Sequence, residues 1–255
     1  MPARFGTGPN LADSATLTGD PATGYLAANL QDRLAGRIYR ANTNDDWMVI
    51  DLGSAQAVGM IGLAGHNLTR NGIFQAQANT ADSWSSPAWD SGADEAFPGI
   101  PCIFYPDVNY RYWRLRMKDS SLSKVEARWL GVSSYIELTR GIAYGFQLRP
   151  VSSRAVTVTQ AGTPQRSGGS QHFVRAGQVS GLNYDEVYDQ IMALAGTDRR
   201  PIFSDLMHGQ ANGHRYRSYG AVKVGGIPHD NSQSAGAIGL EITDLRADNV
   251  ASLGV

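Results

Sequence analysis

The chain is almost without cysteine. Cys102 is the one such residue among 255, so no intrachain disulfide can form. The fold is therefore expected to hold without an oxidising compartment. Ile103 and Phe104 follow Cys102, which favours a buried small hydrophobe over a reactive thiol. Charge of one sign is also lacking: 22 Lys and Arg stand against 23 Asp and Glu, with both signs scattered. No basic stripe of the kind that tracks a phosphate backbone occurs, so nucleic acid is not an expected partner. No run reaches the roughly 18 apolar residues of a membrane span. Met1 to Gly6 contains no apolar leader core, so a soluble product made in the cytosol is expected.

Catalytic signatures are missing too. There is no G-x-S-x-G elbow, no G-x-x-x-x-G-K-[ST] loop and no G-x-G-x-x-G fingerprint. The five histidines are His66, His172, His208, His214 and His229. His208 and His214 lie six apart around Asn212-Gly213, without the tight spacing or the Cys and carboxylate companions of a zinc site. His66 reads as a turn residue bonded to the backbone. Asp82, Asp90 and Asp94 follow no calcium-loop register. No enzyme activity, metal or cofactor is expected.

What the chain has is β-forming sequence. Hydrophobic residues make up 42%, and 29 Gly and 11 Pro punctuate them, which suits short strands joined by turns. In the run Trp47 to Leu52, Met48, Ile50 and Leu52 share one face and Trp47 and Val49 the other, so both faces are apolar. Trp113, Leu115 and Met117 alternate with Tyr112, Arg114 and Arg116, a strand with one wet face. Val125, Ala127 and Trp129 repeat that pattern. Trp47, Ile50, Leu52, Leu63, Trp113, Leu115 and Trp129 are expected to share a core. Between Asn79 and Pro101 lies a polar loop region carrying Trp84, Trp89 and Phe97. Two readings stand for these rings: a sugar-stacking platform beside Asp82, Asp90 and Asp94, or plugs in the mouth of a sandwich. Burial is the commoner fate of large aromatics.

Composition changes near Gly131. Gly141 to Gly169 is a polar connector in which Val156 and Val158 alternate with Thr157 and Thr159. The spacing of Asn183 and Glu186 is that of a capping box. With Val187, Ile191 and Leu194 on one face and Gly196 as stop, it predicts a helix over residues 183–195. Strands are expected at His172 to Gln178, Pro201 to Leu206, Tyr216 to Val224 and Ala237 to Leu245. Two β-rich domains follow, residues 1–135 and 136–255.

Three segments of the first half carry a resemblance. Asp46-Trp47-Met48-Val49-Ile50-Asp51-Leu52-Gly53 is a Trp-bearing strand ending in Asp-Leu-Gly; Val58 to Leu63 reads V-x-x-I-x-L; Arg111 to Arg116 reads R-Y-W-R-L-R. Together they resemble the discoidin, or galactose-binding-like, jelly-roll β-sandwich. That resemblance implies a binding module without catalytic machinery. It carries over no individual sugar-binding residue, since the family's ligand residues lie in loops that do not match one by one.

The second half resembles another group. Phe173-Val174-Arg175, the expected helix, Gly196 to Phe203, Tyr219 to Val224 and Leu240 to Leu245 are similar to distal tail proteins of long-tailed, siphovirus-like phages. This likeness implies a β-barrel-like domain with one helix, forming a ring, sixfold by family habit, that joins the tail tube to the tip or baseplate. It implies a structural protein of the virion, with itself, the tail tube and the tail-hub proteins as partners. The familiar members carry the ring domain first, whereas here the sandwich precedes it. Within the connector, Arg154, Val156, Val158 and Arg166 are the candidate assembly arm. Two functions are thus expected: a tail-tip ring subunit whose peripheral sandwich contacts host-surface glycan, or, as the alternative, a non-enzymatic carbohydrate-binding protein.

Overall fold

The computed structural model describes residues 2–32, 36–138, 147–152, 156–158, 164–166, 171–179, 202–210, 213–225 and 238–244. The chain is mainly β, with antiparallel sheets. In chain order the strands are β1 (Ala3–Thr7), β2 (Thr16–Thr18), β3 (Tyr39–Arg40), β4 (Asp45–Val58), β5 (Met60–Ala64), β6 (Ile73–Asn79), β7 (Trp89–Asp90), β8 (Asp94–Glu95), β9 (Cys102–Phe104), β10 (Val108–Lys118), β11 (Glu126–Ala127) and β12 (Trp129–Leu138). They continue with β13 (Gln147–Ser152), β14 (Val156–Val158), β15 (Pro164–Arg166), β16 (Gln171–Val179), β17 (Ile202–Asp205), β18 (Arg217–Val224) and β19 (Ile238–Asp244). Two compact units result: Met1–Gly141 with Ile202–Ser218, and Ile142–Pro201 with Tyr219–Val255.

The first unit is a β-sandwich. One sheet runs β2–β4–β10–β6–β7, with β8 also on β6; the other runs β17–β1–β12–β5–β9. Strand alternation decides what lies between them. Trp113, Leu115 and Met117 of β10, Met48 and Ile50 of β4, and Phe74, Ala76 and Ala78 of β6 meet Ile61 and Leu63 of β5 and Leu130 and Val132 of β12 in one cluster. Cys102 is buried beside them, and burial pushes its thiol pKa up. Leu52 packs on the cluster from its edge. Two expected core residues stand elsewhere. Trp47 alternates with Met48, so it lies on the outer face, half-buried and opposite Arg116. Trp129 is buried but outside the central cluster, because its neighbour Leu130 takes the inward position.

The second sheet is covered on its far side by sequence from much later in the chain. Every residue of β5 is buried, which a one-sided sheet face does not produce. The cover is the returning segment that begins with β17. Gly62 and Gly131 are cross-strand partners, and together they form a shelf without side chains. The ring of Phe203 occupies it: a Cβ built on Gly131 would come within 2.4 Å of Phe203 Cε2, and one on Gly62 within 2.9 Å of Cδ1. Beside it β17 pairs with β1, Phe5 opposite Ser204, and the Ser204 and Ser218 hydroxyls bond at 2.6 Å. A linear division into 1–135 and 136–255 misses this return, because residues 202–218 cluster with the first unit.

In the second unit, β13, β16, β19 and β18 form an antiparallel sheet in that order. Val174, Val222, Leu240 and Ile242 are buried on it. Pro150 stands on β13, whose one neighbour among the described residues is β16; such an edge tolerates a residue without an N–H. Among the described residues the sheet is open and does not close into the expected barrel. Strands β14 and β15 pair with each other as a separate two-stranded sheet. The expected helix over 183–195, with Val187, Ile191 and Leu194, lies outside the described residues, as does Arg154.

Candidate ligand-binding face

The outer face of the β4–β10–β6 sheet gathers aromatic and polar side chains by simple alternation. The core takes Met48, Ile50, Trp113, Leu115, Ala76 and Ala78, so Trp47, Arg114, Arg116, Gln75 and Gln77 must point out. Cross-strand register places Arg114 opposite Val49 on one side and Gln77 on the other, with Asp90 of β7 next in the row.

These side chains form one connected network. Arg114 donates from Nε to Gln77 Oε1 at 2.7 Å. Gln77 Nε2 donates to Asp90 Oδ2 at 2.5 Å, and Gln75 Nε2 to Asp90 Oδ1 at 2.8 Å. Partial burial pushes the Asp90 carboxyl up, but the donors from Gln75, Gln77 and the Gly92 N–H outweigh it and hold Asp90 below its ordinary value. Arg116 closes on Asp45 with two bonds of 2.7 and 2.6 Å. The bonds from Arg116 are the largest cause lowering the pKa of Asp45.

Above the network sits Trp84. The loop after β6 turns back because Asn79 Nδ2 holds the Ser83 carbonyl at 2.6 Å. Trp84 then donates from Nε1 to Asp82 Oδ1 at 2.7 Å. The guanidinium carbon of Arg114 lies 4.6 Å from the Trp84 ring centroid and 3.8 Å from that of Trp47. One cation thus contacts the electron-rich faces of two indoles, which fixes both rings. Trp84 is half-buried, while Asp82 at its N–H and Asp90, both felt by Arg114, are exposed. A flat apolar face with a rim of carboxylates and amides suits a ligand that has apolar C–H faces and hydroxyls at its edges.

The three aromatic residues singled out in the sequence do not form one surface. Trp89 pairs opposite Ala78, faces inward and packs on the core, its ring 5.8 Å from that of Trp113. Phe97 follows β8, which pairs at the Ile73 end of β6, whereas Trp84 follows the Asn79 end. Seven residues of strand separate those ends by about 20 Å. Arg70 approaches the Phe97 ring at 5.6 Å. Trp84 is the half-exposed ring, and Arg114, which also covers Trp47, meets it from the sheet. The alternation around Met48 and Trp113 was the available signal for Trp47 and Arg114.

Two of the histidines have partners of their own. His66 is buried, bonds the Ile100 carbonyl through Nε2 at 2.8 Å and meets Phe74 edge-on; burial pulls its pKa down to about 4. It is neutral at physiological pH. His208 lies 3.3 Å from Asp205 Oδ2, which Arg217 also approaches at 3.4 Å.

No family model matches the chain, and no curated protein matches it. Among solved structures it is similar to chitosan-binding module 1 of a chitosanase/glucanase from Paenibacillus sp. IK-5, at 15% identity and a TM-score of 0.41, over 50% of this chain and 100% of that one. A fucose-binding module from Streptococcus pneumoniae gives 14% identity and a TM-score of 0.41, over 49% of this chain and 94% of the other. The lectin domain of lectinolysin, solved with Lewis B antigen, gives 14% and 0.40, over 50% and 98%.

Proposed function

We propose that the first unit is a non-catalytic module that recognises glycan, with the Trp84 ring as its contact surface. The observation that carries this is the ring's setting. It is held by Arg114 on a face and by Asp82 at its N–H, and is left half-exposed, with Arg114 linking it to the network of Gln77, Asp90 and Gln75. An indole so fixed loses little freedom on binding, and a pyranose can lay its C–H face on it while its hydroxyls reach the amides and carboxylates. The test is a glycan array followed by titration calorimetry on the hits, with the intact chain and with Trp84→Ala. Binding that drops at least tenfold in the variant supports the reading. Binding that is unchanged, or no glycan hit at all, removes it.

A second reading keeps this module as the periphery of a phage tail tip, in the virion, with the second unit in a ring of identical copies between tube and baseplate. The feature that favours it is the β14–β15 hairpin, which lies inside the connector and pairs with no other strand among the described residues. Its unpaired edges suit strand addition to a neighbouring copy.

A further inference from the structure

The charge around Trp84 has a sign, and that sign selects among glycans. From Thr80 to Ile100 the chain carries Asp82, Asp90, Asp94 and Glu95 and no Lys, Arg or His. Asp82 is exposed and spends one oxygen on the Trp84 indole, and among the described residues nothing bonds Oδ2, which can accept from a ligand donor. Both oxygens of Asp90 accept from Gln75 and Gln77, so this carboxylate acts through its field. The facing cation is Arg114, which lies over both indoles, bonds Gln77 and feels both Asp82 and Asp90. Arg116 is closed on Asp45, which Lys118, four positions along the strand from Arg114, also approaches at 3.5 Å. Two carboxylates against one guanidinium leave the surroundings of the ring negative.

We infer that the Trp84 surface takes an amine-bearing sugar, a glucosamine-type residue whose protonated amino group sits beside Asp82 while its C–H face lies on the indole. This rests on Trp84 being the glycan surface. A neutral sugar keeps the stacking and its hydroxyl contacts but gains no ion–ion attraction from Asp82 and Asp90. An anionic sugar meets repulsion from both. Exposed charge contacts of this kind contribute a few-fold each, about tenfold for the pair, and weaken with salt.

The experiment titrates the full chain with length-matched oligomers of glucosamine, N-acetylglucosamine and galacturonic acid, at a pH where the amine is protonated and the carboxylates are ionised. The glucosamine oligomer is expected to bind about tenfold more tightly than the N-acetylated one. The uronate should bind neither measurably nor competitively. Asp82→Asn retains an acceptor for the indole N–H, and it should reduce the preference for the amine over its N-acetylated form several-fold. Trp84→Ala should lose both ligands. Equal affinity for the amine and its acetylated form, or a preference that survives Asp82→Asn, overturns the inference and leaves the glycan surface standing. Binding of the amine and the N-acetyl form that ignores Trp84→Ala overturns the surface itself and the inference with it.

Discussion

Arg111 closes on Asp51 through two hydrogen bonds, Nε to Oδ1 at 2.7 Å and Nη2 to Oδ2 at 2.9 Å. The pair sits where the β4–β10 ladder breaks: Tyr110 pairs with Gln56 and Tyr112 with Asp51, so residues 52–55 stand opposite Arg111 alone. Asp51 Oδ1 also accepts the Gly53 N–H at 2.8 Å, and Gly53 has φ +77°, a conformation that costs a residue with a Cβ. The Asp-Leu-Gly turn and the first arginine of the R-Y-W-R-L-R strand are therefore two halves of one clamp.

That clamp should make the fold acid-sensitive in a definite window. The bonds from Arg111, joined by the Gly53 N–H, hold the Asp51 carboxyl down at about 2. An unfolded aspartate titrates near 3.9. A depressed carboxylate stabilises above its unfolded value and loses that contribution as pH falls through the folded one. Asp51→Asn should therefore melt at a lower temperature than the parent above about pH 4, and the two melting curves should converge toward pH 2. Thermal melts of both proteins across that range check it. A difference that stays constant with pH contradicts the role given to the charge.

Phe203 on its glycine shelf gives a second expectation. Phe203→Ala removes a ring that is 2% exposed and should cost about 3–5 kcal/mol of stability. Gly131→Ala should also destabilise, since its new methyl would fall within 2.4 Å of the ring. The double variant Gly131→Ala with Phe203→Leu should recover part of that loss, because the smaller side chain can yield space. Chemical denaturation of the parent, Gly131→Ala, Phe203→Leu and their double variant measures the coupling. Additive effects would mean that the two residues do not share the site.

The tryptophans should separate stability from binding. Trp113 is fully buried, and Trp113→Ala should cost about 3–5 kcal/mol by leaving a cavity. Trp84 contacts Arg114 and Asp82 on an outer face, and Trp84→Ala should change stability by less than about 1 kcal/mol. Denaturation midpoints of the two variants test this. A Trp84 variant that unfolds like the Trp113 one would assign Trp84 to the core.

Much of the sandwich was legible because alternation is a local signal. Trp113, Leu115 and Met117 face inward and Tyr112, Arg114 and Arg116 outward, as their spacing requires. The strands at 171–179, 202–205, 217–224 and 238–244 also follow from short apolar runs between turn residues. Trp47 was harder: two apolar faces suggest a doubly buried strand, yet the outer cover is the guanidinium of Arg114, supplied by a strand more than sixty positions away. The return of residues 202–218 left no local mark either. Gly62 and Gly131 carry no local sign of their purpose, which appears once the Phe203 ring is placed over the pair. Of the candidate site, Trp84, Asp82 and Asp90 could be named from one loop, but Trp47, Arg114, Gln75 and Gln77 join it only through cross-strand register.

The hairpin carries the last prediction. Strands β14 and β15 pair Val156 with Arg166, Thr157 with Gln165 and Val158 with Pro164. A lone two-stranded hairpin is marginal in water, because three residue pairs offset little of the entropy of ordering the chain. A third strand that adds to its edge supplies further backbone bonds without any requirement for a particular side chain. If identical copies provide that strand head to tail, the contact repeats around an axis and closes a ring. Deleting residues 152–168 should then leave the melting of the first unit within about 1 kcal/mol of the parent, since this segment lies in the second unit. On the tail-tip reading the full chain should form a higher oligomer in the presence of tail tube protein, and the same deletion should abolish it. Mass photometry on both proteins, with and without that protein, reads the outcome. Rings of equal size and abundance from the deleted chain would show that the hairpin is not the assembly element.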